Sequence, residues 1–223
     1  MQNIWDRITS WLTIHAPKVL KSLQPGATED EIREVEEKLG VTFPVAVRQS
    51  FRIYNGQNKV SGPLIPQHRC PEDLDDFMTA ASGGWKLLSL AEIVMWWNEW
   101  MTLRDLGEAE WNQFWIPLTY DEGGNHDCLD LDPKLGQDVG RIINVCHEYI
   151  PDVESDPEFK QSVNFSVWLE SFATDLESNL YKYAEEYDRL VDAEALRKIR
   201  LNFPIQEARI QDALQRSGFG FDE

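Results

Sequence analysis

The side chains able to do chemistry in this sequence are four histidines, three cysteines and a large excess of carboxylates. The histidines are His15, His68, His126 and His147. No two lie four residues apart, so the paired-His helix face of zinc peptidases is missing. His126-Asp127-Cys128 brings three donor types together, yet a zinc site takes four ligands at regular spacing. No metal is expected, and His126 is expected at a hairpin tip, open to water. The run from Asp121 to Asp132 is acidic enough to test for calcium. An EF-hand loop needs glycine at its sixth position and glutamate at its twelfth. Counted from Asp121, those places hold His126 and Asp132, so the match fails. Cys146 and His147 are adjacent, and in a strand neighbours point to opposite faces. They therefore cannot act there as nucleophile and base. GxSxG, P-loop and GxGxxG patterns are all absent. The expectation is a protein with no catalytic residues, no cofactor and no metal.

Binding is the remaining chemistry, and the acids and tryptophans are the groups to carry it. Formal net charge is -18. The surplus is uneven: Met1 to Asn98 holds 12 acids and 10 bases, Glu99 to Glu223 holds 27 and 11. Such a surface keeps a protein soluble, and it also speeds encounter with a basic partner. The expected contact surface is the acidic hairpin carrying Asp121, Glu122, Asp127, Asp130 and Asp132. A competing reading makes Asp130 and Asp132 plain turn caps. Trp96 and Trp97 are neighbours on a helix and cannot both face the core. Trp97 is the aromatic rim residue expected beside the acids, since Trp often anchors interfaces. An exposed Trp would equally stack on a sugar ring.

The elements that must position these groups follow from periodicity. Ile4, Trp5, Ile8, Trp11 and Leu12 recur at helical spacing up to Pro17. In ATEDEIREVEEKLG, Thr28 and Glu31 form a capping-box pattern, and Gly40 supplies a left-handed end. Pro44 opens a second helix over 45–54, closed by the turn pair Asn55-Gly56. Residues 57–84 read as a long loop with at most a short strand near Leu64 and Ile65. A short strand at 85–90, a helix at 90–101 and a polar stretch to Gln113 follow. FWIPLTYD, EGGNH and DCLDLDP read as a β-hairpin with a Gly-rich acidic turn. A strand at 141–147 and a helix at 165–180 come next. The chain from Tyr181 to Arg200 is expected to continue as helix, with a last short helix over 204–216.

Bulk properties exclude several classes. With 39 acids against 21 bases and a pI near 4.6, a nucleic-acid or anionic-membrane partner is not expected. Three cysteines without a CxxC pair suggest reduced thiols and a cytoplasmic setting. The start of the chain lacks a basic head followed by an apolar run, so no signal peptide is expected. No stretch of about 20 uncharged apolar residues is present.

Taken in order, the segments resemble the SUKH superfamily, in the Smi/Knr-like branch that includes the fungal cell-wall-assembly regulator. GATEDEIREVEEKLGVTFPVAVRQSFRIYNGQ is similar to its opening helix pair, with Glu36, Leu39, Gly40, Pro44, Phe51, Asn55 and Gly56 in place. WKLLSLAEI is similar to the strand-then-helix that follows. FWIPLTYDEGGNHDCLDLDP matches the central hairpin through Trp115, Pro117, Asp121, Gly124, Asp130 and Pro133. GQDVGRIINVCHE and FSVWLESFATDL match the next strand and the closing helix. The resemblance implies an α+β fold, a mostly antiparallel sheet packed against helices. It places a family-like domain over 1–180 and a helical C-terminal extension over 181–223. It also implies protein binding without shared catalytic residues. Bacterial members of the superfamily neutralise toxins, so an immunity protein against a basic toxin or nuclease domain stands first. A regulatory scaffold for cell-wall or envelope processes stands second, and a small-molecule or glycan binder third. Oligomeric state is left open.

Overall fold

In the computed structural model the described residues are 1–58, 62–65, 84–145, 163–185, 188–194 and 196–197. Helix α1 (Gln2–His15) buries Trp5, Ile8, Trp11 and Leu12, the stripe its spacing demands. Pro17 starts the short α2 (Pro17–Ser22), which leads into strand β1 (Leu23–Pro25).

Helix α3 (Glu29–Leu39) has the full capping box: Thr28 Oγ1 accepts from the Glu31 backbone N–H, and the Glu31 carboxylate accepts from the Thr28 N–H. Gly40 ends it at φ 67, a conformation glycine adopts without a Cβ penalty. Helix α4 (Val45–Ile53) follows Pro44. Glu36 ties the two together from a nearly buried position: it accepts from the Phe43 N–H at 2.7 Å and from the Arg48 guanidinium.

Strand β2 (Tyr54–Gln57) pairs antiparallel with β1. At φ 74, Gly56 lies against the Leu88 and Ser89 backbone, where a Cβ would come within 2.4 Å of the Ser89 nitrogen. Asn55 Oδ1 accepts from the Leu90 N–H at 2.9 Å. The Asn-Gly pair thus docks the helix pair on the next element. That element is strand β3 (Lys86–Leu87) followed by helix α5 (Leu90–Asp105), opened by a second capping box between Ser89 and Glu92.

The central sheet is β4 (Trp115–Pro117), β6 (His126–Asp130) and β7 (Arg141–Val145), in that order and antiparallel. Strand β5 (Thr119–Tyr120) turns away to pair with β3. Every residue of β6 is buried. One sheet face, with Ile116, Leu129 and Ile142, joins the main core under the helices. The other, with Trp115, Cys128, Ile143 and Val145, joins Trp100 and Trp111 in a second core. Helix α6 (Phe165–Glu177) covers the main core with Phe165, Trp168, Leu169 and Phe172. The fold is α+β, small antiparallel sheets packed against helices.

Two expectations change here. The segment expected to continue as helix after Tyr181 is a β-hairpin over its described part, β8 (Tyr181–Ala184) with β9 (Arg189–Asp192). Tyr183 and Leu190 satisfy a helical count, but they sit opposite each other across the strand pair. Leu190 enters the main core, and Gly62 lies directly on the Asp188 backbone, so long-range packing decides the conformation. The second change is His126, which is fully buried rather than at a wet tip. The final helix expected over 204–216, most of the 57–84 loop, Cys70, His68, Cys146 and His147 lie outside the described residues.

Candidate functional site

The site is built where β3, α5, the β5–β6 turn and the β8–β9 hairpin meet. Strand β3 contributes Lys86, and α5 contributes Glu92, Met95 and Trp96. Strand β5 contributes Tyr120, the β5–β6 turn Asp121 and Glu122, and β9 Arg189. Together they line an open pocket of about 340 Å³.

Its aromatic wall is closely packed. Trp96 packs on Tyr120 with ring centroids 4.3 Å apart, and His126 lies behind both, 5.6 Å from Trp96 and 5.4 Å from Tyr120. An indole N–H can only donate. Trp100 Nε1 reaches His126 Nε2 at 3.0 Å, so that nitrogen must accept and the ring proton sits on Nδ1. Nδ1 in turn donates to the Thr119 carbonyl at 2.6 Å. Burial pushes the imidazole down to about 4, despite the raising pull of the Thr119 carbonyl and of the Asp121 and Asp127 carboxylates. His126 is a neutral structural wedge, and its two bonds fix the angle of the wall. Burial also raises the Tyr120 hydroxyl above its ordinary value, helped by Asp121 and Glu122.

The polar wall is partly self-neutralised. Lys86 forms an ion pair with Glu92. Burial alone would raise the Glu92 carboxyl, but bonds from Lys86 and Ser89 outweigh it and hold the group below the usual range. Asp121 holds the turn: Oδ1 accepts from the Gly123 and Asn125 N–H groups at 2.8 and 2.9 Å, and Oδ2 from Asn125 Nδ2 at 2.6 Å. Glu122 stands exposed at the apex with φ 66, a left-handed conformation uncommon outside glycine. Among the described residues it meets no cation.

The six residues expected at a contact surface do not lie together. Asp121 and Glu122 sit on the pocket rim. Asp127 and Asp130 are buried, 2% and 1% exposed. Asp127 Oδ1 accepts from Asn144 Nδ2, and Asp130 takes Arg141 Nε and Nη2 at 3.2 and 3.1 Å. Asp132 caps the 3-10 turn at Pro133–Asp138 by accepting from the Lys134 N–H, and it also accepts from Asn112. Trp97 is half-buried, its Nε1 donating to the Gln113 carbonyl at 2.9 Å. It is Trp96, named in the sequence only as Trp97's neighbour, that lines the pocket. Lys86 and Arg189 had no sequence signal; Glu92 had one, the Ser-Leu-Ala-Glu box. Among the described residues no three His, Cys, Asp or Glu side chains gather as a metal site would require. No described helix is long and apolar enough to cross a membrane.

Comparison with known proteins agrees with this architecture. The family model described as "SMI1 / KNR4 family (SUKH-1)" matches residues 26–171, the stretch from the turn before α3 to the middle of α6. The chain belongs to this family. The cell wall assembly regulator SMI1 of Saccharomyces cerevisiae is 25% identical, over 91% of this chain and 46% of that protein. A glucan synthesis regulatory protein of Neurospora crassa is 23% identical, over 83% of this chain and 40% of that protein. The human F-box only protein 3 is 35% identical over a shorter stretch, 37% of this chain and 19% of that protein. The chain spans less than half the length of these relatives. Two of them are named as regulators, one of cell wall assembly and one of glucan synthesis, and none of the three as an enzyme.

Proposed function

We propose that this family member is a non-catalytic regulatory module that binds proteins in cell-wall or glucan synthesis. The observation that carries the reading is the family match together with the two fungal regulators that align along most of the chain. The acidic surplus, which put toxin neutralisation first, suits any basic partner and does not select a toxin. The regulatory scaffold therefore takes first place. Within the module the contact surface centres on the rim acids Asp121 and Glu122, with Asp132 and Trp97 at its margin. Asp127 and Asp130 support that surface from inside.

The experiment is a deletion in the source cell, read by wall glucan content and tolerance of wall-perturbing dyes. The expected result is altered glucan and hypersensitivity, rescued by the wild-type chain and only weakly by Glu122→Lys. Unchanged wall glucan and unchanged tolerance would sink the proposal. Loss of protection against a co-encoded toxin in the same strain would return the immunity reading to first place.

A further inference from the structure

We propose that the pocket between β3, α5, the acidic turn and β9 binds a neutral carbohydrate, as the terminal part of a short oligosaccharide. The protein-binding reading does not require this, and this does not require it.

Size comes first. At about 340 Å³ the cavity is at the small end of the roughly 300–1,000 Å³ typical of ligand sites. Charge comes next. Three carboxylates, Glu92, Asp121 and Glu122, face two cations, Lys86 and Arg189. Lys86 is already paired with Glu92. An anionic ligand such as a phosphate meets more carboxylates than cations. A cationic side chain meets Lys86 and Arg189. The excess is a single carboxylate, so neither sign of charge meets an unopposed wall. What the near-cancellation leaves is a ring of hydrogen-bond donors and acceptors around an apolar floor. Hydroxyl groups both donate and accept, so a polyol satisfies such a ring without carrying charge into it.

The floor suits a ring with an apolar face. Trp96 and Tyr120 form its aromatic part, with the exposed Met95 on the rim beside them. Trp96 is braced by Tyr120 and by the neutral His126, which Trp100 and Thr119 hold from behind. Asp121 is braced by three hydrogen bonds within its turn, and Glu92 by Ser89 and Lys86. Groups fixed before binding lose little entropy on binding. Arg189 comes from the hairpin beyond the stretch the family model matches.

The full chain is titrated with glucose, cellobiose, maltose and N,N′-diacetylchitobiose, read by saturation-transfer NMR on the sugar and by Trp fluorescence. The expected result is saturable transfer to at least one disaccharide, with ring protons of a single sugar residue most strongly affected. Glu92→Gln weakens it by on the order of tenfold, the value of one well-placed hydrogen bond. Met95→Arg, at an exposed position on the rim, abolishes it while leaving the thermal melt unchanged. Trp97→Phe, outside the pocket, leaves it intact. Trp96→Ala removes it as well, and Met95→Arg stands in for that variant where the loss of Trp96 unfolds the chain. No transfer to any of the four sugars overturns the proposal. So does binding that survives Met95→Arg, or a pocket that saturates with inorganic phosphate or an arginine-bearing peptide and not with sugar.

Discussion

Two groups of acids lie within ten residues of each other and meet opposite fates. Asp127 and Asp130, in strand β6, are buried. Asp121 and Glu122, in the turn just before, stand at the rim of an open pocket. A net charge of -18 counts all four alike. Structurally they differ in kind. Asp130 lies 3.1 Å from Arg141, while Glu122 meets no cation among the described residues. Because strand neighbours alternate, Asp127 shares the sheet face of Leu129, and Asp130 shares that of Cys128. The buried acids therefore hold each side of β6 to β7, through Asn144 and Arg141 respectively. Charge that is paired inside is lost as a long-range signal, and charge left on the rim keeps its reach.

The largest test of that contrast is Asp130→Ala. It strips the Asp130 carboxylate from the Arg141 guanidinium, which is only 12% exposed. Breaking a buried pair from one side costs about 3–5 kcal/mol, read as a drop in the urea midpoint. Burial raises the Asp130 carboxyl above its ordinary value, against the lowering effect of the Asp132 N–H and of Arg141. Asp130→Asn, which keeps the shape and removes the charge, should therefore cost clearly less than the alanine variant. A loss below about 1 kcal/mol for Asp130→Ala would erase the distinction between strand and turn acids.

A second test uses pH. His126 sits in β6 and takes up its second ring proton only near pH 4, against an ordinary value of 6.5. Its folded value is depressed, so the unfolded chain binds a proton first as pH falls. Stability from this group is complete above about pH 6.5 and drains away down to about pH 4. Over that window the loss is about 3 kcal/mol. The measurement is the denaturation midpoint against pH for wild type and His126→Gln, whose difference should narrow on acidification. Parallel curves would mean that the imidazole is wet after all.

These groups also show what the sequence makes legible. Thr28, Glu31, Gly40, Asn55 and Gly56 act through local backbone geometry, so spacing alone placed the first helix pair and its cap. The hairpin at 115–130 was readable from its alternation and its Gly-rich turn. Burial of His126 was not readable, because its partners Trp100 and Thr119 come from a helix and a strand that meet only in the fold. The β8–β9 hairpin was missed for a similar reason. Its apolar spacing suits a helix, and only contact with Gly62 and the main core selects strands. The pocket was half legible. Its acids were named in the right turn, but Lys86, Glu92 and Arg189 converge from three separate elements.

A third and smaller effect belongs to Asp121, which is on the rim yet structural. Asp121→Ala removes the acceptor for two backbone N–H groups and one side-chain amide. Each is worth about 0.5–1.5 kcal/mol in water-exposed settings, so a total near 2 kcal/mol is expected by chemical denaturation. The loss should be well short of that for Asp130→Ala. An equal loss would show that the turn is as tightly held as the strand.

The smallest expected stability effect is at Glu122, and there the contrast is sharpest. No cation or hydrogen-bond partner among the described residues depends on it, so Glu122→Gln should change stability by less than about 0.5 kcal/mol. Its φ of 66 is one that glycine adopts freely. Glu122→Gly should therefore raise stability by no more than about 1 kcal/mol. A substantial loss in either variant would mean that Glu122 is tied down like Asp130. If both variants fold as expected, Glu122→Lys becomes a clean probe of the rim. It reverses one charge at the mouth of the pocket while sparing the core. Association with a basic partner should then slow and lose part of its salt dependence, while the dissociation rate stays close to wild type. The reverse pattern, a faster dissociation with unchanged association, would place Glu122 inside a desolvated contact rather than at its charged edge.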